Sequence, residues 1–261
     1  MSDIRLAYGL REGELVHVSA VESGLRCGCL CAGCGEALVA RKGAVRDHHF
    51  PHHGAEPCRH AVETALHLAA KSILEQELVI TLPALRVTFN SHKSDIELEP
   101  ATRYELESVR LEQRVDDLVP DVIARIGGHD LWVEVFVTHW VDEGKRRKMR
   151  ERGVSGIEID LSGAGRDLSW EALRLRVVEG VEHKRWLHSV RVEQEYRRML
   201  AKSQRRPTIQ RGYAVHVDRC PIRARVWRGK AYANFIDDCI NCEHCLGVGP
   251  GNAYVYCDGE R

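Results

Sequence analysis

The chain has 261 residues, enough for one large domain or a core with small satellites. Hydrophobic residues make up 44% and charged residues 29%, and no apolar run approaches the roughly 20 residues that a membrane-crossing helix needs. The 38 basic and 38 acidic residues cancel, which excludes a uniformly basic nucleic-acid binder. No apolar signal segment follows Met1-Ser2-Asp3-Ile4-Arg5, so a cytoplasmic protein with no membrane partner is expected.

The cancelling charges are segregated along the chain. Acids outnumber bases from Asp95 to Asp121, and bases dominate Lys145–Arg150 and Lys184–Arg206. Such separation suits an acidic metal site beside phosphate-contacting surfaces, although solvated helix faces alone give the same pattern. The ten cysteines lie only towards the two ends, with none between Cys58 and Cys220. In a reducing compartment, closely spaced cysteines are more often metal ligands than disulfides. Their distribution divides the chain into residues 1–58, 59–212 and 213–261.

In the first region, Ile4–Leu10 and Leu15–Val18 read as a strand pair around Arg11-Glu12-Gly13. Cys31-Ala32-Gly33-Cys34 then forms a metal knuckle, and His49 and His52 supply a second ligand pair. Zinc takes four tetrahedral sulfur and nitrogen ligands from paired turns of this kind. We therefore expect zinc at Cys31, Cys34, His49 and His52, with Cys27, Cys29, His48, His53 and Cys58 as competitors. A segment this small cannot build a sufficient core, so metal binding would supply much of its folding free energy.

The middle region alternates helix and strand. Residues His60–Glu77 carry Ala61, Ala65, Leu68, Ala69 and Ile73 at helical spacing. Val119–Ile126 and Leu131–Thr138 are β-rich runs joined by Gly127-Gly128-His129-Asp130, a strong hairpin signal. A charged helix over Asp142–Arg152 and a strand over Gly156–Leu161 follow, and this order implies a right-handed crossover in a mixed α/β sheet. Ser169–Val178 and Lys184–Lys202 read as helices, the latter basic.

The last region holds Cys220, Cys239, Cys242, Cys245 and Cys257. A hairpin of Ile222–Trp227 and Ala231–Ile236 would return Cys220 beside Cys239 and Cys242, and a strand over Ala253–Tyr256 would deliver Cys257. That is the plan of a zinc ribbon. Cys220, Cys239, Cys242 and Cys257 are the expected ligands, with Cys245 as the alternative.

The hairpin of the middle region carries the sharpest chemistry. A two-residue Gly127-Gly128 turn places Asp121 opposite Glu134, and a four-residue loop makes them diagonal neighbours. Either register puts both carboxylates on one face, roughly 5 to 8 Å apart. Two acids so placed can hold one magnesium ion, which prefers oxygen ligands and leaves room for phosphate and water. Glu134 lies between Leu131, Trp132, Val133 and Val135, Phe136, Val137, and a carboxylate in so apolar a strand needs a metal or a basic partner.

Pro120-Asp121 followed by Glu134-Val135-Phe136 resembles the PD-(D/E)XK nuclease motif. The helix Glu63-Thr64-Ala65-Leu66-His67-Leu68-Ala69-Ala70-Lys71 and the Cys-x-x-Cys and His-Phe-x-His finger before it resemble those of competence CoiA-like nucleases. The similarity covers Cys27 to Ser162. It implies a restriction-endonuclease-like core with a mixed sheet, flanked here by two small zinc modules. It also implies magnesium or manganese dependence and hydrolysis of DNA phosphodiesters, in DNA uptake, recombination or phage defence. Position by position, Glu63 matches the helix acid, Asp121 the first motif acid and Glu134 the second, so the resemblance assigns the catalytic metal to these three.

One position departs from the family. Phe136 stands where the motif lysine belongs, two residues after Glu134. That lysine orients water and offsets transition-state charge. Lys145, early in the next helix, and Lys71, on the Glu63–His67 face, are the candidates to replace it, and His139 at the strand end is a further candidate contact. DNA is the expected partner, with a homodimer or other DNA-processing proteins alongside. The competing expectation is a nuclease fold that lost its chemistry with its lysine and serves as a zinc-containing DNA-binding or adaptor protein.

Overall fold

The computed structural model describes residues 6–44, 48–54, 58, 60–89, 95–138, 141–164 and 169–259. The chain forms two compact units: residues 1–83 with 101–189, and residues 84–100 with 190–261. In chain order the first unit begins with β1 (Tyr8–Arg11), β2 (Glu14–His17), α1 (Ala61–Glu77) and β3 (Val79–Leu82). The chain lends β4 (Leu85–Val87) and β5 (Ile96–Glu99) to the second unit. It returns to the first with β6 (Thr102–Glu105), β7 (Ser108–Leu111), β8 (Val122–Ile126), β9 (His129–Phe136), α2 (Glu143–Glu151), β10 (Ser155–Asp160), α3 (Trp170–Arg174) and β11 (Lys184–His188). The second unit is completed by α4 (Val190–Lys202), β12 (Gln204–Arg211), β13 (Ala214–Asp218), β14 (Arg225–Trp227), β15 (Lys230–Asn234), β16 (Cys245–Val248) and β17 (Tyr254–Cys257). The protein is therefore of mixed α+β class with several sheets. Among the described residues no helix is long and apolar enough to cross a membrane.

The centre of the first unit is a five-stranded mixed sheet in the order β11-β10-β9-β8-β7. Strands β7, β8 and β9 are antiparallel, while β10 returns parallel to β9 through α2. Side-chain alternation sorts β9 onto two faces. Leu131, Val133 and Val135 join Ala65, Leu66, Ala69, Ala70, Ile73 and Leu74 of α1 in the main core. Trp132 turns the other way, against Met149 of α2, Ile123 and Leu187. The period-two and period-3.6 patterns of the sequence meet in this sandwich of helix, sheet and helix.

The β8–β9 turn is the two-residue one. Ile126 pairs with His129, and Gly127 and Gly128 both have positive φ (55° and 77°), as a type I′ hairpin turn requires. The α2 N-terminus is capped by Asp142, whose Oδ1 accepts the Lys145 N–H at 2.9 Å.

Three sequence expectations need correction. The helix expected over Lys184–Lys202 begins only at Val190; Lys184–His188 is the strand β11, antiparallel to β10, because Trp186 and Leu187 complete the sheet edge and its core. The basic helix α4, grouped by the sequence with residues 59–212, packs in the second unit, where Val192, Tyr196, Met199 and Leu200 line a cluster around Val87, Phe89 and Leu246. The short strands β3–β7, absent from the sequence reading, fill residues 79–111. Each has only three or four residues, too few for a periodic signal.

Candidate active site and metal centre

Register fixes the site. Val122 pairs with Val133, so Asp121, one residue ahead of β8, stands opposite Glu134. The two acids meet very different surroundings. Asp121 Oδ2 accepts the Val135 N–H at 2.9 Å, Lys71 Nζ lies 3.0 Å from Oδ1, and His67 Nδ1 is 3.6 Å from Oδ2. Burial opposes ionisation of Asp121, but His67, the Val135 amide and Lys71 together hold its carboxyl well below the usual carboxylate range.

Glu134 is only 4% exposed, and burial pushes its carboxyl up to about 7. The nearby Asp121 charge adds to that rise, while Lys145 and Lys71 oppose it. Lys145 Nζ lies 2.6 Å from Glu134 Oε2 and donates to the Val119 carbonyl at 3.3 Å. Oε1 of Glu134 is buried without a hydrogen-bond partner. A buried carboxylate oxygen left bare is costly unless something absent from the protein alone satisfies it. The donor set, carboxylate oxygens facing each other across the β8–β9 pair, fits a hard divalent cation.

Both candidate lysines converge on the acids. Lys71, 5% exposed on α1, bridges Glu112 (2.8 Å) and Asp121, and these contacts overcome burial to raise its pKa. Lys145 reaches back from the first turn of α2, as its position after the Glu134 strand suggested. Glu63 sits one helical turn before His67 on α1; it accepts from Thr138 Oγ1 at 2.5 Å, and His60 Nδ1 lies 3.7 Å away. Thr138 is two residues beyond Phe136, past the end of β9. His139 lies outside the described residues.

Glu158 lies beside these acids but already has its own partners. Glu158 pairs with Glu134 across the parallel β9–β10 ladder and is fully buried. Its oxygens accept from Arg185 Nε (2.7 Å) and the Val141 N–H (3.1 Å). Asp160 Oδ1 accepts from the Ser162 amide and hydroxyl. His67 and Glu112 were not singled out for the site. The four-residue spacing Glu63–His67–Lys71 was the available signal for His67; Glu112, 41 residues from Lys71, left none.

The N-terminal metal centre differs from the expected ligand set. Cys31, Cys34, His52 and Cys58 each offer one ligand atom, all within 4.8 Å of one another. Cys31 and Cys58 sulfurs are 3.8 Å apart, and Cys34 Sγ is 3.3 Å from His52 Nε2. Tetrahedral zinc with bonds of about 2.3 Å to sulfur sets ligand sulfurs about 3.8 Å apart. This Cys3His group can bind a metal such as zinc. Cys58 takes the place assigned to His49, which is buried in an antiparallel bridge to Arg41. Cys27 and Cys29 are core side chains that donate to the Leu38 and Cys27 carbonyls. Gly33 is required by close approach: a Cβ there would lie 3.0 Å from Ala61 Cα and 3.1 Å from Cys58 Sγ. Burial pushes the Cys31 thiol up to about 12, so an unmetallated cluster keeps that proton.

In the second unit all five C-terminal cysteines line one cavity of about 30 Å³. The Cys242 N–H donates to the Cys239 carbonyl at 3.1 Å, and Cys242 Sγ accepts the His244 N–H at 3.4 Å. Cys245 Sγ turns to the Gly247 carbonyl at 3.7 Å. Burial and the other four thiols push Cys239 up to about 12. Among the described residues, no three of these thiols come within the 4.8 Å that encloses the N-terminal four.

No protein-family model, curated protein or solved structure matches the chain.

Proposed function

We propose that this protein is a metal-dependent nuclease that hydrolyses DNA phosphodiester bonds, with Asp121 and Glu134 holding magnesium or manganese and Glu63 assisting. The observation that carries the reading is the bare, buried Glu134 Oε1, opposite an ionised Asp121 and beside Lys145. The element order supports a restriction-endonuclease-like core: α1, the antiparallel β7, β8 and β9, then α2 and the parallel β10. That order agrees with the CoiA-like resemblance of the sequence.

A divalent cation at the two carboxylates supplies positive charge that polarises a phosphate and makes a water more acidic. Asp121 is held ionised by Lys71 and the Val135 amide, so one ligand stays charged across the physiological range. Lys145 Nζ, poised at Glu134, takes the part of the displaced motif lysine: its N–H groups can orient an attacking water and steady charge on the phosphate. Phe136 fills the motif position with a buried ring in its place.

The Cys31, Cys34, His52 and Cys58 group is a structural zinc site in this reading. In this reading Cys220, Cys239, Cys242 and Cys257 would draw together around a second zinc, with Cys245, whose thiol faces the Gly247 carbonyl, as the alternative. Ten cysteines without a disulfide suit a reducing, cytoplasmic setting.

The test is cleavage of plasmid and single-stranded DNA with magnesium or manganese, comparing wild type with Asp121→Ala and Glu134→Ala at matched zinc content. Metal-dependent cutting that is lost in both variants is expected. Intact DNA with every metal, alongside retained DNA binding, would overturn the nuclease reading in favour of the adaptor and make Phe136 the telling substitution.

A further inference from the structure

The six-stranded sheet of the second unit, ordered β14-β15-β13-β12-β17-β16, has two unlike faces. Val217, Ala233, Val255 and Cys257 point to one side, into the cysteine-lined core. Alternation sends their neighbours to the other side, where Tyr256 meets α4 while Arg205, Ile209 and Trp227 stay exposed. Aromatic and basic side chains lie there, beside Pro207, Ile209 and Asp218.

Arg205 on β12 lies over both Tyr254 and Tyr256 of β17, 5.4 and 5.6 Å from the ring centroids. Tyr256 is packed against Tyr196 and its cluster, and Tyr254 is half-buried with its ring against Gly249. Further across the sheet, His216 and Tyr232 stand edge to face at 5.2 Å. At the far edge Trp227 is 61% exposed, with the Arg228 guanidinium 4.5 Å from its ring. Exposing so large a ring costs hydration free energy in a protein with no partner for it.

Charge selects the partner. The second unit carries fifteen basic residues against eleven acidic ones, in a chain whose total is neutral. Three carboxylates of this unit are paired with arginines: Asp218 with Arg211 at 2.7 Å, Asp237 and Asp238 with Arg225 at 3.1 and 2.6 Å. Among the described residues, Arg205, Arg228 and Lys230 have no carboxylate partner. Aromatic rings interleaved with unpaired cations on an open sheet match unstacked bases joined by phosphates, and a duplex hides those base faces.

We propose that this face binds single-stranded nucleic acid, with Tyr254, Tyr232 and Trp227 stacking on bases and Arg205, Arg228 and Lys230 meeting phosphates. The inference rests on the nucleic-acid part of the proposed function and not on catalysis. Because every base has a π face, recognition here is tolerant of sequence and reads strandedness instead.

The experiment is fluorescence anisotropy with zinc-loaded, full-length protein, calcium replacing magnesium, and labelled dT20, rU20 and a 20-base-pair duplex. Wild type is expected to bind the single strands more tightly than the duplex, and the dT20 and rU20 arms report which sugar is preferred. Trp227→Ala, at an exposed ring, and Tyr254→Ala, at a half-buried one, should each weaken single-strand binding roughly five- to hundredfold, the range for one lost stacking contact. Trp227→Phe should restore most of it. Tyr213→Ala, at a fully exposed tyrosine in the β12–β13 turn, should change nothing.

Equal affinity for duplex and single strand, or unchanged binding in both alanine variants, would overturn the proposal. So would a dimer in sedimentation that Trp227→Ala abolishes, since the face would then be covered by a second copy. Single-strand binding without cleavage would leave this inference standing and remove the nuclease reading; cleavage with binding insensitive to both variants would do the reverse.

Discussion

Replacing Glu134 by glutamine separates a functional carboxylate from a structural one. The folded carboxyl titrates near 7 and an ordinary glutamate near 4.5. The folded state therefore binds this proton more tightly than the unfolded chain. Stability falls as pH rises through the window between those values; the penalty is absent below about 4.5 and complete above about 7. About 2.5 units at 1.36 kcal/mol each set its ceiling near 3 kcal/mol. The amide has no charge to desolvate, so Glu134→Gln recovers much of that penalty. It forfeits the Lys145 pair, but Lys145 is 19% exposed and can turn towards water, at a cost of about 1 kcal/mol. A net gain of roughly 1–3 kcal/mol is expected at pH 8 in magnesium-free buffer with zinc retained, shrinking to nothing at pH 4.5. Urea unfolding followed by tryptophan fluorescence measures it, and nuclease activity should vanish in the same variant. A loss of stability at pH 8 would refute the reasoning, because Glu134 would then be half of a stabilising ion pair.

Three further outcomes follow from the same structure. Lys145→Ala should slow cleavage by about 10²–10³-fold without loss of zinc, the range for one electrostatic donor; cleavage within threefold of wild type would transfer the role to Lys71. Cys58→Ser and Cys34→Ser should each lower bound zinc by about one equivalent, whereas His49→Ala should keep it; a colourimetric zinc assay decides, and the reverse result restores the sequence expectation. Lys184, buried and donating to the Gly180 carbonyl, has its pKa lowered to about 8 by burial. Charging it in the fold is unfavourable below about 8, and the cost is relieved as pH rises towards 10.5. Lys184→Met should thus stabilise the protein at pH 7 by roughly 1–2 kcal/mol after the lost hydrogen bond is counted, with the gain disappearing above pH 10. A lower melting temperature at pH 7 would contradict this.

Local patterns were legible in the sequence wherever the determining interactions are themselves local. The Gly127-Gly128 turn, which only residues tolerant of positive φ can make, sets the β8–β9 register, and register alone sets Asp121 against Glu134. Helical periodicity marked α1, a charged run marked α2, and the Cys31–Cys34 knuckle pointed to the Cys/His cluster. What the sequence left open depends on distant chain segments meeting. Cys58 takes the place of His49 in the Cys/His cluster because the chain folds back 27 residues to bring its sulfur to Cys31. The strand β11 read as part of a basic helix because charge pattern says nothing about an open sheet edge waiting to be filled. Glu134 and Glu158 share a face and a register, yet one finds Arg185 and an amide while the other keeps a bare oxygen. Local sequence cannot tell those two glutamates apart, because the difference lies in what the rest of the fold brings within hydrogen-bonding distance of each.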